Sequence, residues 1–250
     1  VSGKVYIVGA GPGNFELLTL KAYRILNEAD VILYDRLVGE EIEEFLRSLK
    51  GKEVIYVGKE RGERGEKRQQ EINRLMKKYA TEGKVVVRLK GGDPGVFGRL
   101  AEEMEFLFNN NIPFEVVPGV SSVNAAPVSS NIPLTHPEAG FGFLVVSGRD
   151  TVRLNELIGS GTMIVLMGGC TAKEVALNLI KSGINPETEV AVIERGSFKD
   201  QRVTFSTVKS LTEVEFDFKS PALIVIGDIV KLAKKYSRLI GLDKIRDRKI

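Results

Sequence analysis

Short runs rich in valine, isoleucine and tyrosine alternate with stretches that carry leucine, isoleucine and phenylalanine at helical spacing. This alternation limits the first half of the chain to a parallel α/β sheet. The runs at Lys4–Ala10, Asp30–Asp35, Glu53–Gly58, Lys84–Leu89 and Phe114–Val117 read as strands, each ended by Gly, Asp or Pro. Between them, Glu16–Ala29, Glu40–Leu49, Gln70–Ala80 and Leu100–Phe108 read as helices. In the third of these, Ile72, Leu75, Met76 and Tyr79 fall on one face while Lys77 and Lys78 point away.

After Pro118 the character changes. Ser121–Ser130 is small and polar, and Pro127, Pro133 and Pro137 crowd together, which places a domain junction there. The expectation is an N-terminal α/β domain over 1–118 and a C-terminal α/β domain over 119–250. The second half offers strands at Gly142–Ser147, Thr162–Met167, Glu189–Glu194, Arg202–Val208 and Ala222–Ile226, with a helix at Ala172–Lys181. Arg202–Val208 alternates polar and apolar residues, as a half-exposed antiparallel strand does, so a mixed sheet is expected. Asp243–Lys249 reads as a charged, frayed tail.

Charge and cysteine content exclude several classes. Lys and Arg number 36 against 33 Asp and Glu, a net +3 too dispersed to predict nucleic-acid binding. With one cysteine (Cys170) and one histidine (His136), neither a disulfide framework nor a thiolate or multi-histidine metal site can form within the chain. No apolar run approaches the length of a membrane span. A cytoplasmic protein without a metal is expected.

Glycine marks the candidate ligand loops. Gly9-Ala10-Gly11-Pro12-Gly13 follows the first strand and precedes the first helix, where backbone can approach a ligand and a helix N-terminus offers N–H donors. A dinucleotide fingerprint requires glycine where Asn14 stands, and Pro12 lacks an N–H. Asp35 ends the second strand. It fits a ribose acid, a general base, or a structural residue paired with Arg36 or capping a helix. Lys59 opens the basic, glycine-bearing stretch Lys59–Arg68, which reads as a solvated loop or as a flap that meets carboxylates.

Gly91-Gly92-Asp93-Pro94-Gly95-Val96-Phe97-Gly98-Arg99 is unusually dense in glycine, implying close backbone approach or special dihedrals. Pro118-Gly119-Val120-Ser121-Ser122 then brings hydroxyls to the end of the fifth strand. In a parallel sheet these segments share the carboxyl edge, where ligands bind in open α/β folds. In the second half Met167 and Gly196 follow strands and Ala222 begins one. Met167 fits a core position or contact with an adenine ring or a sulfonium. His136, between Pro133 and Pro137, reads as a loop histidine.

In order, these segments resemble the tetrapyrrole methylases, and most closely the uroporphyrinogen-III C-methyltransferases. The likeness rests on Val8–Gly13 with Leu17–Lys21, Tyr34-Asp35-Arg36-Leu37-Val38, Val57-Gly58-Lys59, Gln70–Asn73, Arg88–Pro94 with Val96–Arg99, Val117-Pro118-Gly119 and Ile132–His136. It departs at Leu100 and Ala101, where members carry two glycines, at Arg64–Lys67, where members carry a histidine, and at Pro137, where members carry arginine.

The resemblance implies a two-domain α/β homodimer with S-adenosyl-L-methionine in the cleft between domains and S-adenosyl-L-homocysteine as product. Cofactor contacts would fall on Pro12, Gly91, Gly92, Asp93, Val96, Ser121, Ser122, Met167, Gly196 and Ala222. Asp35 would accept a proton and Lys59 donate one, and Arg61, Arg64 and Arg68 would face the carboxylates of a small-molecule tetrapyrrole. The implied reaction methylates C2 and C7 of uroporphyrinogen III, giving precorrin-2 for sirohaem and cobalamin. Another precorrin methylase, a nicotinamide dehydrogenase and a non-catalytic ligand sensor are the alternatives.

Overall fold

A computed structural model describes residues 3–58, 65–150, 161–213, 218–240 and 245–247. The chain divides into two compact units, Val1–Ser122 and Val123–Ile250.

The first unit is a five-stranded sheet of β1 (Lys4–Gly9), β2 (Val31–Tyr34), β3 (Glu53–Tyr56), β4 (Val85–Lys90) and β5 (Phe114–Val117). The order is β3-β2-β4-β1-β5 and every pairing is parallel, with Val8 opposite both Leu89 and Val117. Four helices connect the strands: α1 (Leu20–Glu28), α2 (Glu40–Ser48), α3 (Gly65–Thr81) and α4 (Leu100–Asn109).

Strand alternation sorts the core onto two faces. Val8, Ile32, Val87 and Leu89 pack with Ala22, Ile25 and Leu26 of α1 and with Ile42 and Leu46 of α2. Val5, Ile7, Val31, Leu33 and Val86 pack with Ile72, Met76 and Tyr79 of α3 and Leu107 of α4. Parallel crossovers are right-handed, so the direction in which the chain steps along the sheet decides which face each helix covers. β1 leaves toward the α1 face and its neighbour β4 toward the α4 face. The carboxyl ends of β1 and β4 therefore flank a topological switch point.

The expected strands recur with ends shifted by a residue or two, but the first expected helix is broken. Asn14 Oδ1 accepts from the Glu16 amide at 2.8 Å and caps a short 3-10 turn, Phe15–Leu17. The backbone then extends through Leu18 and Thr19 before Thr19 Oγ1 caps α1 by accepting from the Ala22 amide at 3.1 Å. Each of these two polar side chains bonds a local amide and starts its own helical turn. The glycine loop thus leads into this turn and not into a long helix.

In the second unit, β6 (Phe143–Ser147), β7 (Thr162–Leu166), β8 (Glu189–Glu194), β9 (Arg202–Thr207), β10 (Ala222–Ile226) and β11 (Ile245–Asp247) form a sheet of order β11-β9-β8-β10-β7-β6. β6 and β7 are parallel, as are β9 and β11, and the other pairs are antiparallel. β9 buries Val203 and Phe205 beside more exposed neighbours, the alternation its sequence carries. Helices α5 (Ser122–Ser129), α6 (Ala172–Lys181), α7 (Val208–Glu213) and α8 (Ile229–Ile240) accompany the sheet. Ala172, Val175, Ala176 and Leu179 of α6 and Val208 and Leu211 of α7 pack on Val165, Val190, Val192 and Ile224.

Two expectations are corrected here. The Ser121–Ser130 segment is largely helical despite Pro127, because burial of Val123, Ala125 and Ala126 outweighs weak helix propensity. The Asp243–Lys249 tail contains a strand, Ile245–Asp247, paired in parallel with β9. Without it β9 would be an edge strand, whose unpaired amides and carbonyls are a template for one more strand.

Candidate active site

Three glycines interlock at the carboxyl edge of the first sheet. A Cβ on Gly9 would lie 2.6 Å from Gly119 Cα and 2.7 Å from the Gly92 carbonyl oxygen, and one on Gly119 would lie 2.3 Å from that same oxygen. No side chain fits between them, so the loops after β1, β4 and β5 meet backbone to backbone. Gly11 and Gly92 exchange two hydrogen bonds: the Gly92 amide donates to the Gly11 carbonyl at 2.6 Å and the Gly11 amide to the Gly92 carbonyl at 3.2 Å. The Ala10 amide donates to the Lys90 carbonyl at 2.7 Å. A Cβ on Gly91 would meet the backbone of Leu37, so the turn after β2 also closes on the β4 loop.

This interlock limits the ligand. Amides 10, 11 and 92 already donate within the protein, Pro12 is buried and has no N–H, and α1 starts only at Leu20, which is exposed. A pyrophosphate cradle needs those amides and a helix N-terminus at the loop. The glycines here join strands closely, and the loop lacks the free amides that a phosphate would use.

Asp93 holds these loops together. Its Oδ1 accepts from the Gly95 amide at 2.8 Å and its Oδ2 from the Gly119 amide at 3.0 Å, which ties the β4 loop to the β5 turn. The Val96 amide closes the same turn on the Asp93 carbonyl. Phe97 and Arg99 take positive φ without being glycine, a costly conformation of about 1–3 kcal/mol each that clusters at functional sites. Ser122 follows the β5 turn, and its amide nitrogen lies 3.9 Å from the position a Cβ on Gly92 would take. Ser121 and Ser122 are half-buried.

Asp35 sits at the end of β2 on the same edge. Its Oδ1 accepts from the Leu37 amide at 3.1 Å, capping the 3-10 turn Arg36–Val38, and its Oδ2 meets Arg88 Nη2 at 3.1 Å. Its cationic partner is Arg88 of β4, not the adjacent Arg36 of the sequence expectation. Behind that pair lie charges that the motif reading passed over. Glu103 Oε1 accepts from Lys90 Nζ at 2.9 Å, Arg88 Nε at 3.2 Å and Gln69 Nε2 at 3.2 Å. Arg88, Lys90 and Glu103 are all buried. Burial, and next the neighbouring Arg88, push the Lys90 ammonium below the ordinary lysine range. A signal was available: Arg88 and Lys90 interrupt the otherwise apolar β4, and central parallel strands normally read as unbroken hydrophobic runs.

Among the basic candidates, Arg68 is described. Its guanidinium donates to the carbonyls of Val57 and Gly58 at the end of β3 and pairs with Glu71 at 2.6 Å. Lys59, Arg61 and Arg64 lie outside the described residues. His136 Nδ1 accepts from the Glu138 amide at 3.1 Å inside a turn closed on Gly140.

The second unit gathers its own candidates on one sheet edge. β7 and β8 run in the same direction and β10 runs against both, so Met167, Gly196 and Ala222 lie at neighbouring strand ends. The Arg195 amide donates to the Pro221 carbonyl at 2.7 Å, and a Cβ on Gly169 would touch that of Ala222. Met167 is exposed and takes positive φ, as do Arg195 and Ser197. Strained non-glycine backbone is thus concentrated beside the residues singled out from sequence. Gly196 packs against α5 so closely that a Cβ would lie 2.2 Å from that of Ala126.

Several known proteins are similar to this chain. An S-adenosyl-L-methionine-dependent uroporphyrinogen III methyltransferase of Methanosarcina barkeri is 44% identical over 240 residues, covering 92% of this chain and 93% of that protein. A siroheme synthase of Actinobacillus pleuropneumoniae is 43% identical over 94% of this chain, and the chain spans only 49% of its length. The chain likewise spans about half the length of the other siroheme synthases it matches. A crystal structure of uroporphyrin-III C-methyl transferase from Thermus thermophilus, complexed with S-adenyl homocysteine, superposes with a TM-score of 0.80 at 41% identity. It covers 92% of this chain and 100% of that one. The model of the Tetrapyrrole (Corrin/Porphyrin) Methylases matches residues 4–212, and the chain belongs to that family.

Proposed function

We propose that this chain is an S-adenosyl-L-methionine-dependent C-methyltransferase that methylates C2 and C7 of uroporphyrinogen III to give precorrin-2, on the route to sirohaem and cobalamin. The observation that carries the reading is the glycine interlock at the switch point of β1 and β4. There the amides that would hold a pyrophosphate already donate to protein carbonyls, which supports a donor without phosphate. The high identity to methyltransferases over nearly the whole chain supports the same reading.

The donor supplies an electrophilic sulfonium methyl when bound, so the protein's tasks are to align the pyrrole carbon and to manage a proton. Alignment alone is worth roughly 7–11 kcal/mol. Asp35, held at the carboxyl edge of the sheet by the Leu37 amide and Arg88, takes the proton that the macrocycle releases, from a position other than the fully substituted carbon that gains the methyl. Lys59 protonates the macrocycle at a second position as a further ring proton leaves, so each methyl gained costs one proton in net, and Arg61, Arg64 and Arg68 face the substrate carboxylates. Pro12, Gly91, Gly92, Asp93, Val96, Ser121 and Ser122 form the first unit's share of the cofactor site, and Met167, Gly196 and Ala222 the second's. The working form is a cytoplasmic homodimer. Among the described residues, no helix is long and apolar enough to cross a membrane.

Calorimetry with S-adenosylhomocysteine and with NADH tests the ligand class. The first is expected to bind and the second not. Tight NADH binding with none for the homocysteine ligand would replace the methyltransferase reading by a dehydrogenase.

A further inference from the structure

Arg88 holds Asp35 in the reaction just described, but Lys90 and Glu103 behind it have no task there, and the burial of all three is costly. Arg88 is 4% exposed, Lys90 5% and Glu103 0%. Taking such groups out of water is costly even when they are paired. Glu103 concentrates its bonds from Arg88, Lys90 and Gln69 on Oε1, while its buried Oε2 has no hydrogen-bond partner among the described residues. A buried polar atom left without a partner calls for an explanation beyond packing. Counted as charges, Arg88 and Lys90 oppose Asp35 and Glu103, and Arg88 touches both carboxylates.

We propose that Lys90 and Glu103 are positioning residues that set the electrostatic field at Asp35 through Arg88, so that Asp35 meets the substrate proton with matched positive and negative charge behind it. Arg88 and Lys90 reach this cluster from β4, Glu103 from α4 and the uncharged Gln69 from α3. Glu102 and Arg99, at the start of α4, bond each other nearer the surface. Lys90 also interacts directly with the Asp35 charge, so removing it changes the field even if Arg88 does not move. The inference rests on the reading of Asp35 as the proton acceptor.

The test is the pH profile of kcat for methyl transfer from S-adenosylmethionine to uroporphyrinogen III, measured on Lys90→Met, Glu103→Gln, their double variant and Asp35→Asn. Lys90→Met leaves one cation against two carboxylates, so a proton is held more readily and the acid limb moves up by roughly one pH unit. Glu103→Gln leaves two cations against Asp35 and moves that limb down by a similar amount. The double variant restores the charge count and returns the limb to its wild-type place. A packing role would lower activity in all three without shifts of opposite sign.

If Glu103→Gln does not accumulate as folded protein, Lys90→Met carries the decision, since Arg88 keeps both its carboxylates there. A limb in folded Lys90→Met that coincides with wild type, or that moves down, overturns the inference. Asp35→Asn separates the two levels. If it turns over fully with an unchanged acid limb, the reading of Asp35 fails. If it loses turnover while Lys90→Met leaves the limb in place, only the role given to Lys90 and Glu103 fails.

Discussion

Asp35→Asn is expected to slow methyl transfer at least about a hundredfold while leaving S-adenosylhomocysteine binding nearly intact. The argument is local. Asparagine keeps an oxygen that can accept from the Leu37 amide, so the turn after β2 stays capped. Arg88 loses one carboxylate but keeps Glu103 at 3.2 Å, so no buried cation is left without a partner and the sheet survives. What is lost is the ability to take a proton. Single-turnover assays beside calorimetry read the two effects separately, and full turnover in the variant would remove Asp35 from the chemistry.

Gly119→Ala is expected to produce the largest loss of cofactor binding from a single methyl group. The added Cβ would lie 2.3 Å from the Gly92 carbonyl oxygen and 2.8 Å from Gly9 Cα. Both obstacles are backbone, so neither can rotate away, and the loops after β1, β4 and β5 must separate. Overpacking of this kind costs typically about 1–3 kcal/mol. It also breaks the geometry in which Asp93 accepts from the Gly119 amide. A lower denaturant midpoint together with at least about tenfold weaker S-adenosylhomocysteine binding is the predicted pair of results. Gly183→Ala is the control: φ is positive there, as it is not at Gly119, but nothing lies within 4 Å of the added Cβ. Its expected cost is confined to about 1 kcal/mol of stability with affinity unchanged.

Much of this was legible because parallel sheets write themselves plainly into sequence. β5 and β8 have the ends that their apolar runs suggest, and the segments after β1, β2, β4 and β5 lie on one edge because the strands between them are parallel. Pairwise chemistry was harder to read. The partner of Asp35 is Arg88, fifty-three positions on along the chain, and only the strand order that places β4 beside β2 brings them together. Arg36 was the natural sequence-local choice and does not make the contact that the side chain uses.

The glycine loop shows a second limit. Gly9–Gly13 was correctly placed at a strand end, but the destination of its amides depends on Gly92, on a strand far along the chain. A loop that could cradle phosphate and one sewn to its neighbour look alike until the neighbour is known. α5 escaped notice for a third reason: serine, asparagine and Pro127 argue against a helix, and only the burial of its alanines, with Ala126 lying against Gly196, explains it.

The central claim is tested most directly by the mass of the product formed when the protein is incubated with uroporphyrinogen III and S-adenosylmethionine. The account predicts a tetrapyrrole heavier by two CH2 units, each methyl gained against one proton lost, with S-adenosylhomocysteine formed in step. An unchanged tetrapyrrole mass, with S-adenosylhomocysteine still bound tightly, would contradict it and leave a ligand sensor in place of an enzyme.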